Sequence, residues 1–195
     1  QLIVRGDKVP VLPPISSLKY LTLSAGSDLL NHDQTVALCN LLSLNCLETM
    51  VMNLTHFEPS NFELLMNAIQ NCTSLKDLSL CHMVPNVHNE TILAKIIKSG
   101  TSLVTLDLSY SGVTDLGLNA IFEALEYNET IQTLICHMSD QLKYENTRQK
   151  LLSIFENNYT LRRIMPFDQL KQVPTIRSFL ERNSNYHEEK LFQNN

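Results

Sequence analysis

Residues 101–128 read TSLVTLDLSYSGVTDLGLNAIFEALEYN, and this arrangement returns along most of the 195-residue chain. It begins with the motif L-x-x-L-x-L, here Leu103, Leu106 and Leu108. The first apolar positions of the six copies are Leu18, Leu47, Leu75, Leu103, Ile131 and Leu161, so the spacings are 29, 28, 28, 28 and 30 residues. A constant period in this range is typical of a solenoid with one strand and one helix in each repeat. Because such a unit cannot bury its apolar face alone, the repeats are expected to stack.

Each repeat contains two different hydrophobic periods. Within the motif, apolar residues alternate with other residues, as in a strand that is buried on one face. The stretch that follows has the spacing of one helical stripe, as in Phe62, Leu65, Met66 and Ile69. In the next repeat Glu90 takes the place of the first apolar residue of this stripe. Four residues stand three positions before a motif, where a left-handed residue is expected to close the helix: Cys72, Gly100, Asn128 and Asn158.

These periods predict the fold class α/β. We expect a right-handed solenoid of about six 28-residue strand–helix repeats, with parallel strands on the concave face and helices outside. The segments TSLVTLDLSYSGVTDLGLNAIFEALEYN and TSLKDLSLCHMVPNVHNETILAKIIKSG resemble leucine-rich repeats of the ribonuclease-inhibitor type. The resemblance covers about residues 15–183. Similar arrays occur in NOD-like receptors, Ran GTPase-activating proteins, tropomodulins, leiomodins and bacterial effectors, so the resemblance implies a fold and leaves the function open.

The two ends of an open solenoid need covers, because they would otherwise expose core and a strand edge. Residues 1–14 are predicted to be an extended N-terminal cap or the remnant of upstream sequence, and residues 15–183 the repeat domain. A short helix from Val173 and Pro174 is expected to end near Asn183. Residues 184–195 are predicted to form a capping tail that lies over the exposed edge.

Composition narrows the functional classes. A hydrophobic content of 44% suits one domain with a continuous core, and a net charge of −5 disfavours nucleic acid as a partner. No run approaches the roughly 18 apolar residues that a membrane span needs. The five cysteines are odd in number and lack paired spacing, which indicates a reducing compartment and therefore a cytoplasmic protein. We expect a monomer in isolation.

The sequence lacks common catalytic motifs, and we predict that the protein is not an enzyme. The sequence has no Gly-rich phosphate loop, Gly-x-Ser-x-Gly elbow, His-Glu-x-x-His or paired Cys-x-x-Cys. Cys81, His82 and His88 form a loose cluster in one loop, and repeat phase directs Cys136 into the core while Cys81 faces the hollow. We expect no catalytic residue, no metal site and no cofactor.

The concave face is the candidate binding surface. We define it as the strand residues that alternate with the core leucines, together with the residue just past the last leucine of each motif. The residues that we expect to contact a partner are Tyr20, Asp77, Asp107, Ile135, His137, Arg163, Met165 and Phe167. The two aspartates form an acid pair, a site for a basic group of the partner, or a polar surface that takes no part in binding. Aromatic, methionine and arginine side chains are enriched in interface hot spots, although Phe167 has the alternative of packing under the C-terminal cap.

The predicted function is therefore a non-catalytic module that binds a protein on its concave face. The alternatives are a regulator that acts on its partner by contact, like Ran GTPase activators or tropomodulin-like actin regulators, and a pathogen effector. The resemblance to Ran GTPase activators implies an acidic tail, whereas the final residues HEEKLFQNN are only weakly acidic. The resemblance to tropomodulins implies a basic terminal segment, which residues 186–195 do not provide.

Overall fold

The computed structural model describes residues 1–6, 9–25, 29–53, 57–82, 87–136, 145–165 and 174–193. In these residues, seven strands alternate with six helices, except that no helix separates the first two strands. The strands are β1 (Leu2–Gly6), β2 (Tyr20–Ala25), β3 (Thr49–Asn53), β4 (Asp77–Cys81), β5 (Thr105–Asp107), β6 (Thr133–Ile135) and β7 (Arg163–Met165). The helices are α1 (His32–Ser43), α2 (Pro59–Asn71), α3 (Val87–Ser99), α4 (Asp115–Leu125), α5 (Glu145–Asn157) and α6 (Pro174–Gln193).

The strands form one parallel sheet in chain order, β1 to β7, and the pairs from β2 to β7 keep the repeat register. Leu78 lies between Met50 and Leu106, and Leu134 lies between Leu106 and Ile164. The predicted inward-facing strand positions that the structure describes are buried: Leu21, Leu23, Met50, Met52, Leu78, Leu80, Leu106, Leu134 and Ile164. The α/β solenoid of repeated strand–helix units is thus confirmed.

The helical stripes complete one continuous core with the strand leucines. The predicted stripes of α2 and α4 are buried throughout: Phe62, Leu65, Met66, Ile69, Leu118, Ile121, Phe122 and Leu125. Asn31 begins α1 with a capping box, because its side chain accepts from the Gln34 amide and the Gln34 side chain accepts from the Asn31 amide. Among the described helices, none is both long and apolar enough to cross a membrane.

The sheet contains one strand more than the predicted six. Residues 2–6 form β1, which pairs with β2 so that Ile3 lies beside Thr22 and Arg5 beside Ser24. This strand lacks the L-x-x-L-x-L motif and no helix follows it. Instead, Val9 and Leu12 from the segment after it are buried in the core.

The predicted left-handed closure of the helices is correct only at Gly100, whose φ is +87°. Cys72 has extended backbone, and neither Asn128 nor Asn158 has a positive φ. The two asparagines act through their buried side chains: each carboxamide oxygen accepts from the amides two and three residues ahead. They satisfy the turn that leads into the next strand, so a left-handed residue is not required there.

The last helix is longer than predicted, since α6 runs without a break from Pro174 to Gln193. It does not end near Asn183, and the boundary drawn between residues 183 and 184 falls inside it. Asn183 is buried in mid-helix and donates to the carbonyl oxygens of Asn158 and Leu161. Phe179 stacks on Phe155 with ring centroids 5.4 Å apart. The first turns of α6 therefore cover the end of the last repeat.

Candidate protein-binding surface

The parallel register brings the concave-face residues into columns, as the repeat period predicts. One column is Tyr20, Thr49, Asp77, Thr105, Thr133 and Arg163. The next is Ile3, Thr22, Val51, Ser79, Asp107, Ile135 and Met165. β1 contributes Ile3 to the second column, and sequence reasoning missed this residue because β1 carries no repeat motif.

Six of the eight predicted contact residues lie in the described part of the chain. Tyr20, Arg163 and Met165 are exposed, with 49% of the surface of Tyr20 and 40% of that of Met165 accessible. Asp77, Asp107 and Ile135 are half-buried between their neighbours. The other two, His137 and Phe167, lie outside the described residues. That any of the eight contacts a partner stays a prediction.

Asp107 accepts more hydrogen bonds than Asp77, the other aspartate of the concave face. Its Oδ2 accepts from the Ser79 hydroxyl at 3.2 Å and from the Cys81 thiol at 3.6 Å, and its Oδ1 accepts from the Ser109 amide at 2.9 Å. Ser79 and Cys81 belong to β4, so these contacts join two neighbouring repeats. They hold the carboxylate in one orientation.

Asp77 has a different set of contacts. Its Oδ2 accepts from the Thr49 hydroxyl at 3.3 Å, on the preceding strand. Asp77 lies beside Thr105, and Asp107 lies beside Ser79, so the two carboxylates occupy different columns of neighbouring strands. Each is directed to its own hydroxyl donor, and neither shares a hydrogen bond with the other. The arrangement therefore disfavours an acid pair, and a site for a basic group of a partner stays a prediction.

The thiols near Asp107 are protected from ionisation. Burial raises the pKa of the Cys81 thiol; its hydrogen bond with Ser79 acts against this, and the negative charge of Asp107 adds to it. Burial raises the pKa of Cys136 to about 12, with a further contribution from Asp107. A thiol needs to be a thiolate to act as a nucleophile or a metal ligand, so neither cysteine is activated for chemistry. All five cysteines are free, as their spacing predicts.

An aromatic pair stands at the edge of the concave face, where strands end. His82 and Tyr110 stack with ring centroids 5.1 Å apart and planes inclined by 5°. Both residues have left-handed backbone, with φ of 56° and 57°. They are 28 residues apart, at one repeat position, and that spacing is the sequence pattern that would have revealed the pair. No cluster of three metal-ligating side chains occurs in the ranges that the structure describes.

Comparison with known proteins identifies leiomodins as relatives. No protein-family model matches the chain. It is 25% identical to leiomodin-3 of Homo sapiens over 113 residues, which are 56% of this chain and 20% of that protein. It is 23% identical to leiomodin-2 of Gallus gallus over 150 residues, which are 75% of this chain and 27% of that protein. The chain therefore spans only 20–27% of the length of these curated relatives.

Two solved structures share the fold. Leiomodin-1 actin-binding site 2 superposes with a TM-score of 0.63 and 22% identity, covering 70% of this chain and 80% of that one. The tropomodulin C-terminal domain of Caenorhabditis elegans superposes with a TM-score of 0.68 and 15% identity, covering 82% of this chain and 98% of that one. The chain has the repeat fold of these domains. The narrower resemblance to the ribonuclease-inhibitor type and to NOD-like receptors stays a prediction.

Proposed function

We propose that this repeat array is a non-catalytic module that binds actin. The observation that carries the proposal is the shared fold with leiomodin-1 actin-binding site 2, which extends over 70% of this chain. The similarity to two further leiomodins in sequence supports the same partner. This proposal makes the protein a cytoplasmic regulator that acts by contact, which is the tropomodulin-like alternative within the predicted protein-binding function.

The concave face is the surface that we propose for the contact. It offers the fixed carboxylates of Asp77 and Asp107 to basic groups of the partner and the exposed side chains of Tyr20, Arg163 and Met165 to its other groups. Aromatic residues and arginine carry much of the energy of protein interfaces, and preoriented charged groups guide the encounter of two proteins. His137 and Phe167 belong to this proposal on their sequence positions alone.

The test is direct binding to actin. The purified chain is sedimented with filamentous actin and, separately, titrated into fluorescently labelled monomeric actin. Saturable binding to either form is the expected result. A dissociation constant of about 100 μM corresponds to a binding free energy of roughly −5.5 kcal/mol. If neither form of actin binds at this protein concentration, the choice of actin as partner is wrong.

Matched variants then test the surface. Arg163→Ala removes one exposed cation from the concave face, and Lys95→Ala removes one from the exposed side of α3. Arg163→Ala is expected to weaken actin binding by about 1–2 kcal/mol without a change in melting temperature, and Lys95→Ala to leave binding as it is. Loss of binding in Lys95→Ala together with full binding in Arg163→Ala would move the contact to the helical face.

A substitution of Asp107 tests the role of its charge through the rate of association with actin. Asp107→Asn and the exterior control Glu63→Gln each remove one negative charge. Asp107→Asn is expected to slow association with actin and to flatten its dependence on salt concentration, because charges at an interface act mainly on the association rate. Identical association rates for Asp107→Asn and Glu63→Gln at low salt would exclude Asp107 from the contact.

A further inference from the structure

A cleft lies on the opposite edge of the array from the His82–Tyr110 pair. It is formed where the turn from α4 to β6 and the turn from α5 to β7 meet α6, and its volume is about 510 Å³. None of its lining residues belongs to the concave face. We call it the tyrosine cleft, because Tyr127, Tyr159 and Tyr186 line it.

The three tyrosines are exposed, with 64%, 45% and 41% of their surfaces accessible. The rings of Tyr159 and Tyr186 lie with centroids 5.4 Å apart. Two cations of the chain make cation–π contacts with these rings. The Arg182 guanidinium lies 4.0 Å from the Tyr159 centroid, and the Lys98 ammonium lies 5.7 Å from that of Tyr127. These contacts show that the rings of Tyr127 and Tyr159 interact with positive charge within the chain itself.

The charged residues that line the tyrosine cleft are both acidic. Glu126 Oε1 accepts from the Asn157 side chain at 2.8 Å, which holds this carboxylate at the rim. Glu129 is exposed and makes no hydrogen bond or ion pair with any residue that the structure describes. The two carboxylates and the tyrosine rings face the same space, and the cations that contact the rings, Lys98 and Arg182, are not among the residues that line it.

Arg182 does not neutralise these carboxylates. Its guanidinium donates to the carbonyl oxygens of Phe155 and Asn158 at 2.9 Å and to the side chain of Asn183. These bonds fix it against Tyr159, where it joins α6 to the last repeat, and it is not among the residues that line the cleft.

From this arrangement we propose that the tyrosine cleft binds an arginine- or lysine-bearing segment of a protein partner. The cationic side chain lies against the tyrosine rings and pairs with Glu129, while Glu126 receives a second donor. Charge complementarity selects this occupant, because the cleft offers carboxylates and ring faces to positive charge. The site is separate from the concave face, so it does not depend on actin being the partner there.

A peptide titration tests the proposal on the chain alone. The probe is the peptide Gly-Arg-Gly-Arg-Gly, blocked at both ends, added to ¹⁵N-labelled protein at low salt. The control peptide carries citrulline in place of arginine, which keeps the shape and removes the charge. Amide shift changes are expected at residues 126–129 and 157–160, with affinity for the citrulline peptide at least about fivefold lower, as for the loss of a cation–π contact.

Matched variants complete the test. Tyr127→Ala and Glu129→Gln are compared with Tyr110→Ala and Glu156→Gln, which make the same changes at exposed positions outside the cleft. The first pair is expected to weaken the arginine peptide by about threefold to fivefold each, with the controls unchanged.

Three results would overturn the assignment: equal binding of the citrulline peptide, shifts centred elsewhere, or equal losses in the controls. Concentration-dependent shifts of the cleft residues without any peptide would assign it to a second copy of the chain instead. Failure of actin binding would leave each of these readouts intact, so the two proposals are tested separately.

Discussion

At the scale of single residues, buried asparagines hold successive repeats together. Asn128 donates to the carbonyl oxygen of Ile97, one repeat back, and Asn158 donates to those of Leu125 and Asn128. Asn183 continues the series from α6 by donating to the carbonyl of Asn158. Buried backbone groups that lose such partners are costly, so these side chains stabilise the interfaces between repeats.

Asn158→Ala should test this contribution. The change removes four hydrogen bonds and leaves buried carbonyl and amide groups without partners. We expect the free energy of unfolding to fall by about 3 kcal/mol or more, measured by urea denaturation. Asn71→Ala, at an exposed position at the end of α2, is the control and should cost less than about 1 kcal/mol. Similar losses in both variants would contradict a special role for Asn158.

The pKa of Cys136 predicts how stability changes at alkaline pH. Because burial raises this pKa from 9.0 to about 12, the folded state binds the thiol proton more tightly than the unfolded state does. The contribution is fully present below pH 9 and is lost as the pH rises towards 12, at about 1.4 kcal/mol per pH unit. Between pH 9 and 10.5, the free energy of unfolding of Cys136→Ala should fall with pH less steeply than that of the parent, by about 1.4 kcal/mol per pH unit. Parallel curves for the parent and the variant would refute the prediction.

At the scale of elements, the contact between α3 and α4 explains the break in the hydrophobic stripe. Glu90 is buried, and its two carboxylate oxygens accept from the amide and the hydroxyl of Thr114, each at 2.6 Å. Thr114 is the N-cap of α4 and accepts from the Gly117 amide. Glu90 thus stabilises the start of the next helix, where a negative charge is also favoured by the helix dipole. The repeat pattern alone shows only that an apolar residue is missing.

The contact between Glu90 and Thr114 should require glycine at position 117. A Cβ atom at this position would lie 2.2 Å from Cδ of Glu90, whose carboxylate is held by Thr114. Gly117→Ala should therefore destabilise the protein by about 1–3 kcal/mol, although alanine favours an isolated helix by about 1 kcal/mol.

A double-mutant cycle provides the control. In a Glu90→Ala background the obstruction is gone, so Gly117→Ala should become neutral or stabilising. Additive effects of the two substitutions would show that the close approach of Glu90 is not the cause.

At the scale of the whole molecule, the repeat predicts more of the fold than of the binding surfaces. The period placed Leu78, Leu106 and Leu134 in neighbouring core positions, because every repeat must bury the same face against the next. It did not reveal β1, since that strand pairs through backbone groups and carries no motif.

The surfaces follow less directly from the sequence. The columns of the concave face could be predicted, because strand alternation and register are both periodic. The tyrosine cleft could not be predicted, since Tyr127, Tyr159 and Tyr186 come from two turns and a helix at unequal spacings. The stacking of two repeats brings Tyr127 near Tyr159, and the packing of α6 on the last repeat adds Tyr186.

The stacked architecture predicts how a defect in its centre spreads. Leu106 is fully buried in β5, between Leu78 and Leu134, so Leu106→Ala should lower the free energy of unfolding by about 2–5 kcal/mol. Because each repeat is stabilised mainly by its neighbours, the interfaces on both sides of β5 should weaken together. Hydrogen exchange should accelerate most in β4, β5 and β6 and least in β1 and β2. The exposed substitution Glu63→Gln should change neither stability nor exchange. A melting temperature within about 2 °C of the parent would mean that Leu106 is not a core residue of the array.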